Sequence, residues 1–128
     1  MRTKLLLAVF LGGALGSALR YLVFLGVEGS SLTEPEIALV ATSIVNLSGA
    51  FFLGFVQARS SVSANSQAFW GTGLAGGFTT MSGLTLVTHQ QNLGPFGNGT
   101  IFWIAVALQL VVGVIAFWFG KKLSGVRS

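Results

Sequence analysis

The sequence predicts an all-α membrane protein of four transmembrane helices, the third of them broken, and three observations predict it. Charged residues make up 8% of the 128 positions and hydrophobic residues 52%, with a mean hydropathy of +0.80; a soluble domain carries roughly 25% charge. Four stretches are apolar over about the 20 residues that a bilayer-spanning helix requires: Leu5–Leu25, Ile37–Val56, Ala68–Thr88 and Thr100–Gly120. The links between them, Gly26–Glu36, Gln57–Gln67 and His89–Gly99, are short and polar and leave no room for a soluble domain. The chain therefore reads as one membrane domain over residues 1–128.

The first segment follows Met1-Arg-Thr-Lys4 and resembles a secretory leader at its start, but the apolar run continues through Tyr21–Leu25 and is read as a retained span. Gly12 and Gly16 stand at the small-xxx-small spacing that lets helices approach closely, which predicts helix association and dimerisation. Arg20 falls near the far end of this span. It either snorkels to the interface or stands as a fixed cation in a water-filled vestibule, where it raises the local anion concentration.

In the second segment Pro35 sits where it can open the helix, and Asn46 lies close to its midpoint, with Thr42 and Ser43 one turn earlier. A primary amide at that depth is either interhelical glue or a donor toward a passing anion, and residue type alone does not separate the two. The third segment is the unusual one. Gly71–Thr88 contains five glycines and six Ser or Thr, and an internal Gly costs a helix about 1 kcal/mol relative to Ala. A break is expected at Gly76-Gly77-Phe78-Thr79-Thr80, its carbonyls turned toward an ion or a partner chain. Beyond it, Ser82, Thr85 and Thr88/His89 recur at helical spacing, as interhelical hydrogen bonding or as an ion track. Pro95 lies in a Gly/Asn-rich turn, and the fourth segment ends at Lys121 and Lys122. The sequons at Asn46 and Asn98 are read as chance, the first because it is mid-helix.

Charge placement sets the topology. With four spans, Arg2, Lys4, Arg59, Lys121, Lys122 and Arg127 share one side, whereas the opposite links carry Glu28, Glu34 and Glu36 and no Lys or Arg. The positive-inside rule places both termini in the cytoplasm of a multi-pass protein of the cell membrane. Several classes are excluded. No Asp or Glu lies in any span, so a carboxylate-driven proton exchanger has no carrier. Cysteine is absent and His89 is the single histidine, so thiolate chemistry and a His/Cys metal site are ruled out. No nucleophile–base–acid set is present, so no enzyme is expected. The basic residues lie at helix ends without interleaved aromatics, which argues against nucleic acid.

Taken together these residues resemble the small four-helix fluoride channels, the CrcB/Fluc family. Gly12–Tyr21 (GGALGSALRY) is similar to the family's first-helix signature, Ser43–Gly49 (SIVNLSG) to its pore motif, and Gly76–Ser82 (GGFTTMS) to its third-helix break. The resemblance implies an antiparallel dimer that passes fluoride through pores at the subunit interface, removing it passively from the cytoplasm under the membrane potential and weak-acid accumulation. It implies that Asn46 is the pore asparagine and Arg20 the vestibule arginine, and that the Gly76 and Thr79 carbonyls hold a structural sodium ion at the dimer interface. The anion path offered by this subunit would pass Ser43, Asn46, Met81, Ser82, Leu84 and Thr85.

The departures from the family pattern fall on that path. Met81 and Leu84 stand where the family has two phenylalanines, whose ring edges can face an anion. Gly83 stands for the threonine between them, and Ala105 and Gln109 for a tyrosine and a serine of the fourth helix. The pore surface reads as eroded and the sodium site as intact. An antiparallel homodimer must also insert both ways, which balanced charge would permit and this asymmetry does not. The expectation is a subunit of a heterodimer whose oppositely oriented paralogue supplies the phenylalanines. The competing readings are a self-sufficient homodimeric fluoride channel, a non-conducting structural or assembly membrane protein, and a small multidrug-type exporter.

Overall fold

The computed structural model describes residues 2–59, 63–83, 85 and 100–125. It is helical, with no strand among the described residues. Helix α1 spans Arg2–Glu28, α2 spans Glu34–Gln57, and α4 spans Thr100–Leu123. Between them α3 runs continuously through Ala64–Gln67, a π-wound stretch at Ala68–Ala75, and Gly76–Phe78. Among the described residues, three stretches are long and apolar enough to cross a membrane: Arg2–Glu28, Glu36–Gln57 and Val106–Leu123. The far part of the third apolar segment, including Leu84, Thr88 and His89, lies outside the described residues.

Local chemistry fixes the helix starts a little beyond the apolar spans. At α2 the Thr33 N–H donates to Glu36 Oε2 over 2.9 Å and the Thr33 hydroxyl to the same oxygen over 2.8 Å, holding the first turn around Pro35. At α3 the Ser63 hydroxyl accepts from the Ser66 N–H at 3.3 Å, so Ala64–Gln67 become the first turn of a helix that hydropathy alone begins at Ala68.

Packing is carried by small residues. Thr42, Val45 and Ala41 are fully buried, whereas Phe10, Trp103 and Val114 are 71%, 69% and 67% exposed. That inversion suits a bilayer, where lipid tails solvate large apolar side chains as well as protein does and helices associate through close backbone approach. Gly12 and Gly16 make that approach to α3 within the same chain. A Cβ at Gly12 would strike the Phe69 carbonyl, and one at Gly16 the Leu74 carbonyl; across the contact, a Cβ at Gly77 would strike the Gly13 carbonyl. The pair predicted to associate with another chain is thus covered by α3. A second glycine crossing joins α2 to α4, where a Cβ at Gly54 would strike the Phe117 carbonyl and one at Gly120 the Phe51 carbonyl.

The contact levels give the directions. Gly12 lies level with Phe69–Leu74, Ser17 with Gly77 and Arg20 with Thr79, so α1 and α3 run the same way. Thr42 lies beside Gly83, Asn46 beside Thr80 and Leu53 beside Gly71, so α2 runs against α3. Asn46 shares a cavity with Gln109, and Gly54 meets Phe117, so α4 runs with α2. This up-down-up-down order gathers Arg2, Lys4, Arg59, Lys121 and Lys122 at one end of the bundle and Glu28, Glu34 and Glu36 at the other. At the basic end Arg59 lies over the Phe55 ring at 4.6 Å and Lys122 over Trp118 at 5.2 Å.

These crossings predict a graded response. Gly54→Ala should lower stability in detergent by about 1–3 kcal/mol, since the obstacle is backbone and cannot rotate away. Gly26→Ala, where nothing lies within 4 Å of the added Cβ, should be neutral or slightly stabilising in the same thermal-unfolding assay.

Candidate functional site

The third segment leaves the helical path after Phe78. Thr79 is extended, with φ −79° and ψ 157°, Thr80 is also non-helical, and residues 81–83 are helical again. Gly76 and Gly77 themselves stay helical, so among the described residues from 64 to 83 the non-helical backbone after the helix start is that of the two threonines. Two interrupted residues release peptide groups from helical bonding, and each group requires another partner.

The Asn46 amide supplies one of those partners in both directions. Its Nδ2 donates to the Thr80 carbonyl over 2.9 Å, and its Oδ1 accepts from the Thr80 N–H at 2.7 Å. A primary amide presents a donor and an acceptor side by side, which matches one peptide unit; a hydroxyl or an apolar side chain could not do both. In a continuous helix the Thr80 N–H would bond the Gly76 carbonyl. Its diversion to Asn46 takes that bond away and leaves the Gly76 oxygen to other partners.

The remaining groups are met from α1 and from the threonines. Arg20 Nη1 donates to the Thr79 carbonyl at 3.3 Å, placing a cation at the C-terminal end of α3, where the helix dipole favours one. Ser17 Oγ donates to the Gly77 carbonyl over 3.4 Å. Thr79 Oγ1 donates back to the Ala75 carbonyl at 3.0 Å. Thr80 Oγ1 accepts from the Gly83 N–H at 3.2 Å and pairs with Ser82 Oγ at 3.1 Å. Thr85 Oγ1 reaches the Met81 and Ser82 carbonyls, at 3.2 and 3.0 Å. Among the described residues, the hydroxyls after the break thus serve local backbone first.

Three spaces meet at this point, and Thr79 or Thr80 forms part of each wall. One, of about 310 Å³, lies between α2 and α4 and is lined by Asn46, Met81, Gln109 and Phe117. A second, of about 700 Å³, runs along α2 and α3 past Gly49, Thr72, Gly76 and Thr79. The third, of about 550 Å³, holds Ser17, Arg20, Tyr21, Glu28, Thr80 and Ser82. Arg20 therefore lines a pocket that it shares with Glu28, as well as meeting the break.

Of the residues expected to act together, the structure brings Asn46, Thr79, Met81 and Arg20 around the break and leaves Ser43 half-buried one turn away on α2. Gly76 and Thr79 share the groove along α2. Leu84 lies outside the described residues. Ser17 and Glu28 were not singled out in the sequence. Ser17 adjoins Gly16 on the close-packed face, and Glu28 follows Arg20 by about two turns on one face of α1; both spacings were visible signals.

The comparisons with known proteins cover most of the chain. The family profile described as "CrcB-like protein, Camphor Resistance (CrcB)" matches residues 7–121. The fluoride-specific ion channel FluC 2 of Staphylococcus epidermidis is 34% identical over 119 residues, covering 92% of this chain and 97% of its own length. The fluoride-specific ion channel FluC 1 of Yersinia pseudotuberculosis is 38% identical, with 88% and 90% covered. FluC 2 of Bacillus subtilis is 31% identical, with 98% and 94% covered.

Removal of the amide isolates its structural share. Asn46→Ala should destabilise the protein by about 1–3 kcal/mol in thermal unfolding, because Thr80 loses a donor and an acceptor together. A change within error would show that the Thr80 peptide finds other partners unaided.

Proposed function

The chain belongs to the CrcB-like family, and on that premise we propose that it is a subunit of a passive fluoride-specific ion channel. Its relatives are named as channels rather than catalysts. The observation that carries the reading is the family match over residues 7–121 together with an asparagine at bilayer depth beside an interrupted helix. An amide offers N–H donors to a small anion without fixing a counter-charge that would trap it. Arg20 would draw anions toward the break from a pocket that it shares with the Glu28 carboxylate.

The partner in this reading is an oppositely oriented paralogue, in an antiparallel heterodimer embedded in the lipid of the cell membrane. Segregation of basic and acidic residues to opposite ends of the bundle supports it, since a chain with that asymmetry inserts one way, with both termini cytoplasmic. The relatives' names, numbered FluC 1 and FluC 2, fit paired subunits.

A structural sodium ion at the dimer interface belongs to the same proposal. The donor set fits a hard cation, because Gly76 lacks its helical N–H partner and the Thr79 carbonyl is turned out of helical bonding. Arg20 already donates to the Thr79 oxygen, so the Gly76 and Thr79 carbonyls would hold the cation beside a guanidinium. When bound, the ion would tie the broken backbones of the two subunits together.

Fluoride efflux from liposomes tests the assignment. This chain alone should be silent, and co-reconstitution with its paralogue should restore efflux; robust efflux from the chain alone would overturn the heterodimer and favour a homodimer. Exchange of sodium for a large organic cation should lower the melting temperature of the pair by several degrees. An unchanged melting temperature would remove the sodium ion from the proposal.

A further inference from the structure

Two cations at the basic end of the bundle lie on aromatic rings. Arg59 Cζ is 4.6 Å from the centre of the Phe55 ring, and Lys122 Nζ is 5.2 Å from that of Trp118. Side chains on a helix lean toward its N-terminus, so each cation folds back over the aromatic four residues before it. Both α2 and α4 end at the basic side, and this lean therefore carries the charge toward the membrane. The two pairs also stand level. Gly54 meets Phe117 at backbone distance and the helices run the same way, so Phe55 matches Trp118 in height and Arg59 matches Lys122.

Lys121 adds a third cation in the last turn of α4. No side-chain carboxylate stands beside them: the chain has three, Glu28, Glu34 and Glu36, and all belong to the opposite end of the bundle. Toward the bilayer centre from Lys122, the same face of α4 is apolar. Val111, Ile115 and Trp118 precede it at successive helical spacings, and all three are exposed. None of them lines the cavity between α2 and α4, which takes Gln109, Leu110, Gly113, Val114 and Phe117.

An apolar stripe that ends in a tryptophan and then a cation is the complement of a phospholipid. The acyl chain follows the stripe, the interfacial region meets the indole, and the phosphate meets the cation. A zwitterionic headgroup would bring its own ammonium to a place that has no carboxylate to receive it. A headgroup with net negative charge meets only attraction there. We propose that the basic end of the α2–α4 pair, with Arg59, Lys122 and the Val111–Ile115–Trp118 stripe, is a binding site for an anionic phospholipid of the adjacent leaflet. The site lies apart from the proposed fluoride path and does not depend on it.

The test uses the full chain purified in a neutral detergent. Phosphatidylglycerol or phosphatidylcholine with the same acyl chains is added, and thermal unfolding is followed. Phosphatidylglycerol should raise the melting temperature by several degrees more than phosphatidylcholine. That difference should vanish in about 1 M salt, where the Debye length is about 3 Å. Arg59→Gln with Lys122→Gln should remove at least half of it. Arg2→Gln with Lys4→Gln, which takes the same charge from the same end but from α1, should leave it in place. Equal losses in the two double variants would reduce the effect to general attraction and overturn the site. Equal stabilisation by both lipids would overturn it too, as would a rise reproduced by inorganic phosphate alone. If the Arg59 and Lys122 variant does not fold, the unmutated chain decides. Phosphatidylglycerol with brominated acyl chains should quench its tryptophan fluorescence more than brominated phosphatidylcholine does, and equal quenching would sink the proposal.

Discussion

A peptide group released from a helix inside a bilayer has no water to fall back on, and in this protein the Thr80 peptide is answered by a single side chain. The Asn46 amide takes its N–H at 2.7 Å and gives to its carbonyl at 2.9 Å. Much else follows from that exchange. The Gly76 carbonyl loses its helical bond, Thr79 can remain extended, and three spaces open where a continuous helix would have closed them. A polar residue that looks expensive in the middle of α2 is what allows α3 to be interrupted there.

The interruption is reached by Arg20 and Ser17 only because α1 lies against α3 at backbone distance. Gly12, Gly16 and Gly77 make that approach possible, since a Cβ at any of them would strike a carbonyl of the facing helix. The π-wound stretch at Ala68–Ala75 lies within the same contact, with Gly71 and Gly73 buried. The α2–α4 pair uses the same device at Gly54 and Gly120 and so brings Gln109 level with Asn46. Large apolar side chains stay on the outside, where lipid receives them. The glycine crossings thus decide which polar groups share a cavity.

Charge is kept away from the centre. Arg20 and Glu28 face one pocket near the acidic end of the bundle, and the cavity between α2 and α4 has amides, hydroxyls and apolar walls only. In the proposed channel an anion passing this wall would meet no full opposite charge that would hold it. The Arg20 cation is thereby kept apart from the uncharged cavity.

Composition and spacing alone determined the all-helical membrane class, the four apolar segments and the segregation of charge. Each depends on hydropathy and length, which the chain carries locally. The residues of the unusual backbone were legible too, because five glycines and six hydroxyl residues in one apolar stretch have no ordinary packing reason. Whether Asn46 served as glue or faced a pore could not be read from residue type, since one amide can do both. Only its distance to Thr80 showed that one N–H and Oδ1 are engaged. Gly12 and Gly16 likewise announced a close contact and read as a dimerisation motif, but the helix that faces them proved to be α3 of the same chain. These were tertiary decisions because hydrogen-bond partners such as Asn46 with Thr80 and Ser17 with Gly77 lie 34 and 60 positions apart, and no local pattern encodes which of several polar groups will meet.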